Sequence, residues 1–331
     1  MRNSLALCLL LLIFLTVQGC YVAKQGYGQL NIRLNQIPLE EAIEVETDER
    51  IRTLLAAVPK IKGFAVTKIG LNLDKSYNTY YFTPKTAITF VVTAAKKTEL
   101  KPHTWWFPIL GSVPYKGFFK KSDAVDLENQ LKSQGYDTWL FEAVAYSTLG
   151  WFEDPITTPM LKRGYFSLAE TIIHEMTHGT LYVKGQGRFN EQLASFVGQQ
   201  AAFQYFRENK ILDQATLNKI KEKQARKRKL QQLIGKTYPA LEMLYKSDIS
   251  IEEKLQKREK LFTDLTVAAL EIYPHQSANT LKFNNARILQ YRRYEAEPER
   301  FKEMWKVSRA RWELFWINVR SYAYKKYNYT N

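Results

Sequence analysis

Residues 167–191, SLAETIIHEMTHGTLYVKGQGRFNE, leave the chain the least freedom in how it folds. His174 and His178 lie one helical repeat apart in a segment of helical periodicity, with Ile172, Ile173, Met176 and Leu181 as its apolar face. Residues four apart stand about 40° apart around a helix axis, so the two rings can aim at a single point. Ser167 followed by Glu170 reads as the capping box that starts this helix. A second helical pattern, NEQLASFVGQQAAFQYF, follows a glycine-punctuated turn. Along it Glu191, Ser195, Gly198 and Ala202 recur at i, i+4, i+7 and i+11, and all but the first are small. Such a stripe lets two helices approach closely.

Two converging imidazoles suit zinc (Zn2+), which in hydrolytic sites takes three protein ligands and leaves the fourth position to water. Glu191 is the expected third ligand, a short carboxylate brought within reach by the small residues beside it. Glu175 completes H-E-x-x-H without needing to ligate. Its expected role is general base toward a water whose pKa the metal lowers to about 7.

HEMTH followed by NEQLA resembles the gluzincin metallopeptidases. With YSTLGWFEDP and NNARILQYRRY added, most of the mature chain is similar to a family of bacterial zinc aminopeptidases with lipoprotein members. The resemblance implies an α+β, zincin-like fold: an N-terminal sheet packed on the metal helix, then a mainly helical C-terminal half. It also implies removal of amino-terminal residues from a peptide substrate. The spacer between His178 and Glu191 is shorter than in thermolysin or the large aminopeptidases.

Residues 1–19 read as a lipoprotein signal peptide. Arg2 precedes an apolar run over residues 5–17 that is too short to span a bilayer, and LTVQGC resembles a lipobox cut before a lipidated Cys20. The expected location is the cell envelope, facing the periplasm, with Tyr21 after the cysteine suiting the outer membrane. Cys8 leaves with the signal and Cys20 takes the lipid, so neither a disulfide framework nor a catalytic thiol remains. Export and lipid attachment argue against a nucleic-acid partner despite a net charge of +15. The basic run over residues 219–230 reads as a solvated helix face or a contact for anionic lipid.

Residues 20–331 are expected to form a single metallopeptidase domain, with a mixed sheet lobe over 60–160 and a helical lobe carrying the metal over 165–331. Residues 21–60 show helical periodicity that Pro59 should stop. GFAVTKIGLNL, NTYYF and AITFVVTAA read as strands, residues 123–134 as a short helix and TWLFEAVAY as another strand. Residues 104–119, aromatic and broken by Pro and Gly, suit a cleft wall or a buried connection. Near the C-terminus Phe301, Trp305, Trp312, Phe315 and Trp316 fall near one helix face and should close the core.

Residues 138–146 are the expected strand on which an extended peptide adds. Glu142 and Asp154 are candidates for the substrate's α-ammonium, and Asn190 and Asn284 join them as candidate substrate-binding residues. Tyr291, Tyr294 and His275 are possible donors to the oxyanion, Tyr291 the favoured one. Endopeptidase activity, or a lipoprotein scaffold that keeps a zinc site without turnover, are the competing readings.

Overall fold

A computed structural model describes residues 21–73, 75–107, 111–144, 153–293 and 299–329. Residues 21–34 form α1, followed by β1 (Gln36–Pro38), α2 (Leu39–Val45) and α3 (Glu49–Phe64), with a π-helical turn at Ala65–Ile69. Short strands come next: β2 (Thr79–Tyr81), β3 (Thr89–Lys96), β4 (Trp105–Phe107), β5 (Gly111–Val113) and β6 (Lys116–Phe118). Then follow α4 (Lys121–Ser133), β7 (Tyr136–Ala143), β8 (Ile156–Thr157) and α5 (Thr158–Lys162). The rest is helical: α6 (Tyr165–Thr180), α7 (Gly187–Glu208), α8 (Gln214–Lys246), α9 (Ile251–Ile272), α10 (Ala278–Leu281), α11 (Asn285–Arg293), α12 (Glu299–Val307) and α13 (Trp312–Tyr327). The architecture is α+β and mainly helical, with small sheets.

The larger sheet has the order β6-β3-β7, antiparallel throughout, with Val91 of β3 opposite Phe141 of β7 and Gly117 of β6. Its buried face, Phe90, Val92 and Phe118, packs on Ala124 and Leu131 of α4. The smaller sheet, β1-β2-β8, delivers Tyr80 and Ile156 to the main core. There they join Leu54, Val58 and Ile61 of α3, Leu168, Ile172 and Met176 of α6, and Leu193 and Val197 of α7. Phe301 of α12 with Trp312, Phe315 and Trp316 of α13 closes this core as expected, and Trp305 packs against it, but from two helices and not one face, because the chain turns at Arg309 and Ala310. Helices α8 to α11 form a cluster of their own around Leu241, Phe262, Leu265 and Phe283.

A buried polar network joins that cluster to the larger sheet. Arg258 of α9 donates to both oxygens of Asp137 on β7, at 3.0 and 2.8 Å, and also to Lys97 O. Asn285 donates its backbone N–H to Asp137 (3.0 Å) and its amide to the carbonyls of Lys96, Lys97 and Glu99, and it accepts from the Tyr245 hydroxyl (2.8 Å). A buried ion pair persists when its remaining lone pairs and protons are satisfied in this way.

Three expectations about local structure are corrected. Pro59 does not stop α3, which runs on to Phe64. Leu54, Leu55, Val58 and Ile61 are buried on either side of it, and that burial, about 1.5–3 kcal/mol for each large side chain, outweighs the loss of one backbone bond. Residues 63–73 are not a strand. They carry the end of α3 and the π-helical turn, which Gly70 closes at φ 78°; Ala65 and Ile69 are buried, and Trp316 Nε1 donates to Ile69 O at 2.8 Å. Packing overrides the strand preference of Val66, Thr67 and Ile69 here. The capping box at Ser167 is not formed either. Gly164, at φ 91°, starts α6 earlier, and Ser167 lies inside the helix with its carbonyl accepting from the Thr171 hydroxyl.

Candidate metal centre

Helix α6 is fixed on three sides. Its apolar face buries Leu168, Ile172, Ile173 and Met176, which leaves His174 and His178 turned away from the core and partly open. Its C-terminal end is tied to the segment after α3, where the backbone of Asn72 donates to the Thr180 hydroxyl and its amide to Gly179 O. Against its remaining side lies α7. A Cβ on Gly198 would stand 2.8 Å from Glu170 O and 3.3 Å from both Cβ and N of His174, so α7 rests directly on α6 at the level of the first histidine.

The turn between the two helices sets the register of Glu191. Asn190 is fully buried, and its side chain closes a two-bond clamp on Val183, accepting from N and donating to O, each at 2.9 Å. Gly185 at φ 77° allows the reversal that this clamp needs. Glu191, in the second turn of α7, therefore follows one residue after a fixed point.

The three expected ligands converge. His174 Nε2 and His178 Nε2 are 3.2 Å apart, with rings near perpendicular at 82°; Glu191 Oε2 is 3.5 Å from the first and Oε1 is 3.7 Å from the second. Tetrahedral bonds of about 2.0–2.1 Å would hold donors about 3.3–3.4 Å apart, so a zinc-sized ion fits between these groups. Side-chain exposures of 20%, 14% and 26% leave the cluster accessible to solvent on one side. Among the described residues it is the one group of three such donors so placed.

The field at the cluster favours a cation. Burial alone would lower the His174 pKa. The hydrogen bond that His174 donates to Glu191 and the charges of Glu175, Glu191 and Glu170 outweigh it and raise the value. His174 thus stands among three carboxylates. His178 goes the other way: burial, then the neighbouring His174, push it down to about 4, so that it is neutral at ordinary pH with a lone pair to give. Its Nδ1 is buried with no hydrogen-bond partner among the described residues, a departure from the usual second bond of a metal-binding histidine.

Two neighbours of the site are not read as such from the sequence: Glu170 reads as a capping-box partner and Tyr182 carries no assignment. Glu170, one turn before His174 on the same face, is half-buried; burial raises its pKa, which Lys227, His174 and Lys223 oppose. Tyr182, just past the end of α6 where Leu181 turns extended, sets its ring edge against His178 at 6.2 Å and is 45% exposed. The signal for both was the four-residue spacing 170, 174, 178, 182.

The other expected residues lie elsewhere. Glu142 is exposed on β7, accepting from the Thr86 hydroxyl at 3.2 Å. Asp154 is buried beside Ser76 and Tyr77, at a shallow recess lined also by Gln29 and Ile88. Asn284 caps α11 through Arg287 N (3.0 Å) and donates to Thr138 O on β7 (2.9 Å). Tyr291 stacks on Trp139 at 5.8 Å in the α8–α11 cluster, and His275 is exposed after α9. None of the bonds described for these five reaches the three donors. Strand β7 is an edge of its sheet, and Thr138 O, the acceptor for Asn284, lies on that edge. Cys20, Tyr294 and the end of the 138–146 stretch fall outside the described residues.

Residues 20–329 match the family described as "Putative aminopeptidase". No curated protein and no solved structure gives a significant match.

Proposed function

Because the chain belongs to that family, we propose that it is a zinc-dependent aminopeptidase of the gluzincin kind, held at the cell envelope by a lipid on Cys20. The observation that carries the reading is the convergence of His174, His178 and Glu191 from two helices onto one ion-sized gap. Those three residues would hold the ion in a zincin-like arrangement, with Glu175 beside them on α6. Zinc, when bound, supplies Lewis acidity toward a carbonyl and lowers the pKa of water. Glu175 takes the proton of the attacking water and passes it to the departing amine; its charge already reaches His174. Gly198 and Asn190 would position the ligands, the first by helix contact and the second by its clamp on Val183. Beyond Thr138, whose carbonyl Asn284 already takes, the edge of β7 would offer an extended peptide backbone bonds, on the strand where Glu142 sits. Among the described residues no helix is long and apolar enough to cross a membrane.

Hydrolysis of one peptide with a free and with a blocked amino terminus tests the reading. An aminopeptidase releases amino acid from the free form only, and a chelator stops it. Equal cleavage of both forms would make the enzyme an endopeptidase.

A further inference from the structure

Helix α1 packs with the wrong face outward for a soluble helix. Its inner side is Tyr21, Gly28 and Ile32, at i, i+7 and i+11. Tyr21 donates its hydroxyl to Gly117 O (2.9 Å), a Cβ on Gly28 would run into the Phe119 ring, and Ile32 is 5% exposed. At 100° per residue, Ala23, Tyr27, Leu30 and Leu34 form the opposite stripe. A surface helix normally carries polar residues there. Here Tyr27, Leu30 and Leu34 are 71%, 52% and 73% exposed, and Ala23 is exposed as well.

We propose that this stripe lies on a lipid bilayer, with α1 flat in the interface, as a second attachment beside whatever anchors the chain. Three observations select lipid as the occupant. The apolar run of residues 5–17 ends just ahead of α1, so the stripe follows directly on the segment suited to bring the chain to a membrane. Residues 21–34 are too few to span the hydrocarbon layer, which takes about 20, while an apolar face along the full length of a helix suits burial in the headgroup region. The net charge of +15 draws the whole molecule toward anionic headgroups. The inference does not depend on the metal or on peptide hydrolysis, and either reading can fail without the other.

Photocrosslinking of the full chain in its own cell membranes tests it. A benzophenone amino acid replaces Leu30 or Leu34 on the stripe, Lys24 off the stripe but nearer residue 20, or Val307, exposed on α12. Cells are fed radiolabelled phospholipid precursors and irradiated. Phospholipid adducts several-fold stronger at Leu30 and Leu34 than at Lys24 and Val307 support the proposal, and the Lys24 arm separates a docked face from mere nearness to an anchor. Adducts to a second copy of the chain, equal lipid labelling at all four sites, or no lipid labelling would overturn it. Leu30→Asn with Leu34→Asn should cut lipid labelling from a probe at Tyr27 several-fold and leave peptide hydrolysis unchanged.

Discussion

At the scale of single residues, Glu175 and Asn190 separate chemistry from positioning. Glu175→Gln keeps the shape of the side chain and removes its basicity, so peptide hydrolysis should fall about 10²–10⁴-fold while zinc affinity stays close to that of the wild type. Steady-state kinetics beside a zinc competition titration read both. Asn190→Ala should do the reverse: with the Val183 clamp gone and two backbone groups left buried without partners, the fold should lose about 1–3 kcal/mol. Zinc affinity should drop about 10–100-fold as Glu191 loses its fixed entry. The sequence placed Asn190 with substrate; its burial and its clamp on Val183 depend on the turn that residue type alone does not reveal. The histidines and Glu191 were legible because helical spacing maps directly onto direction. Glu170 and Tyr182 share that spacing, yet a helix glutamate and a turn tyrosine have ordinary explanations that periodicity alone does not overrule.

At the scale of elements, the site depends on how closely α7 approaches α6, which a substitution at Gly198 measures and one at Gly63, away from that contact, controls for. Gly198→Ala forces a Cβ against Glu170 O and the His174 backbone, so thermal unfolding should show a loss of about 1–3 kcal/mol, as for other overpacked positions, together with weaker zinc binding. Gly63→Ala, on α3 where nothing lies within 4 Å, should instead stabilise by about 0.5–1 kcal/mol and leave zinc binding alone. The small-residue stripe from Glu191 to Ala202 made the approach readable in advance. Strands β3 and β7 were readable from their β-branched and aromatic composition, and the helical C-terminal half from polar residues recurring at helical spacing. The stretch after Pro59 was misread because proline and β-branched residues signal breaks and strands locally, whereas Ile61, Ala65 and Ile69 are buried in a core assembled from distant segments.

At the scale of the whole molecule, a core around α3, α6 and α7 carries the donors, and the Asp137–Arg258 network ties the α8–α11 cluster to the larger sheet. Arg258→Met leaves Asp137 a buried, unmatched charge, which should cost about 3–5 kcal/mol in denaturant unfolding while the protein that stays folded keeps its zinc. That network was invisible in the sequence, where Asp137 and Arg258 are far apart and neither belongs to a motif. The most direct test of the whole account is the metal content of the purified chain, wild type beside His178→Ala and Glu191→Gln, with peptide hydrolysis followed before and after chelation. The account predicts one zinc per wild-type chain, little or none in either variant, and activity that disappears with the metal and returns on adding it back. A folded wild-type protein that binds no divalent metal, or that hydrolyses peptides equally well without it, would contradict it.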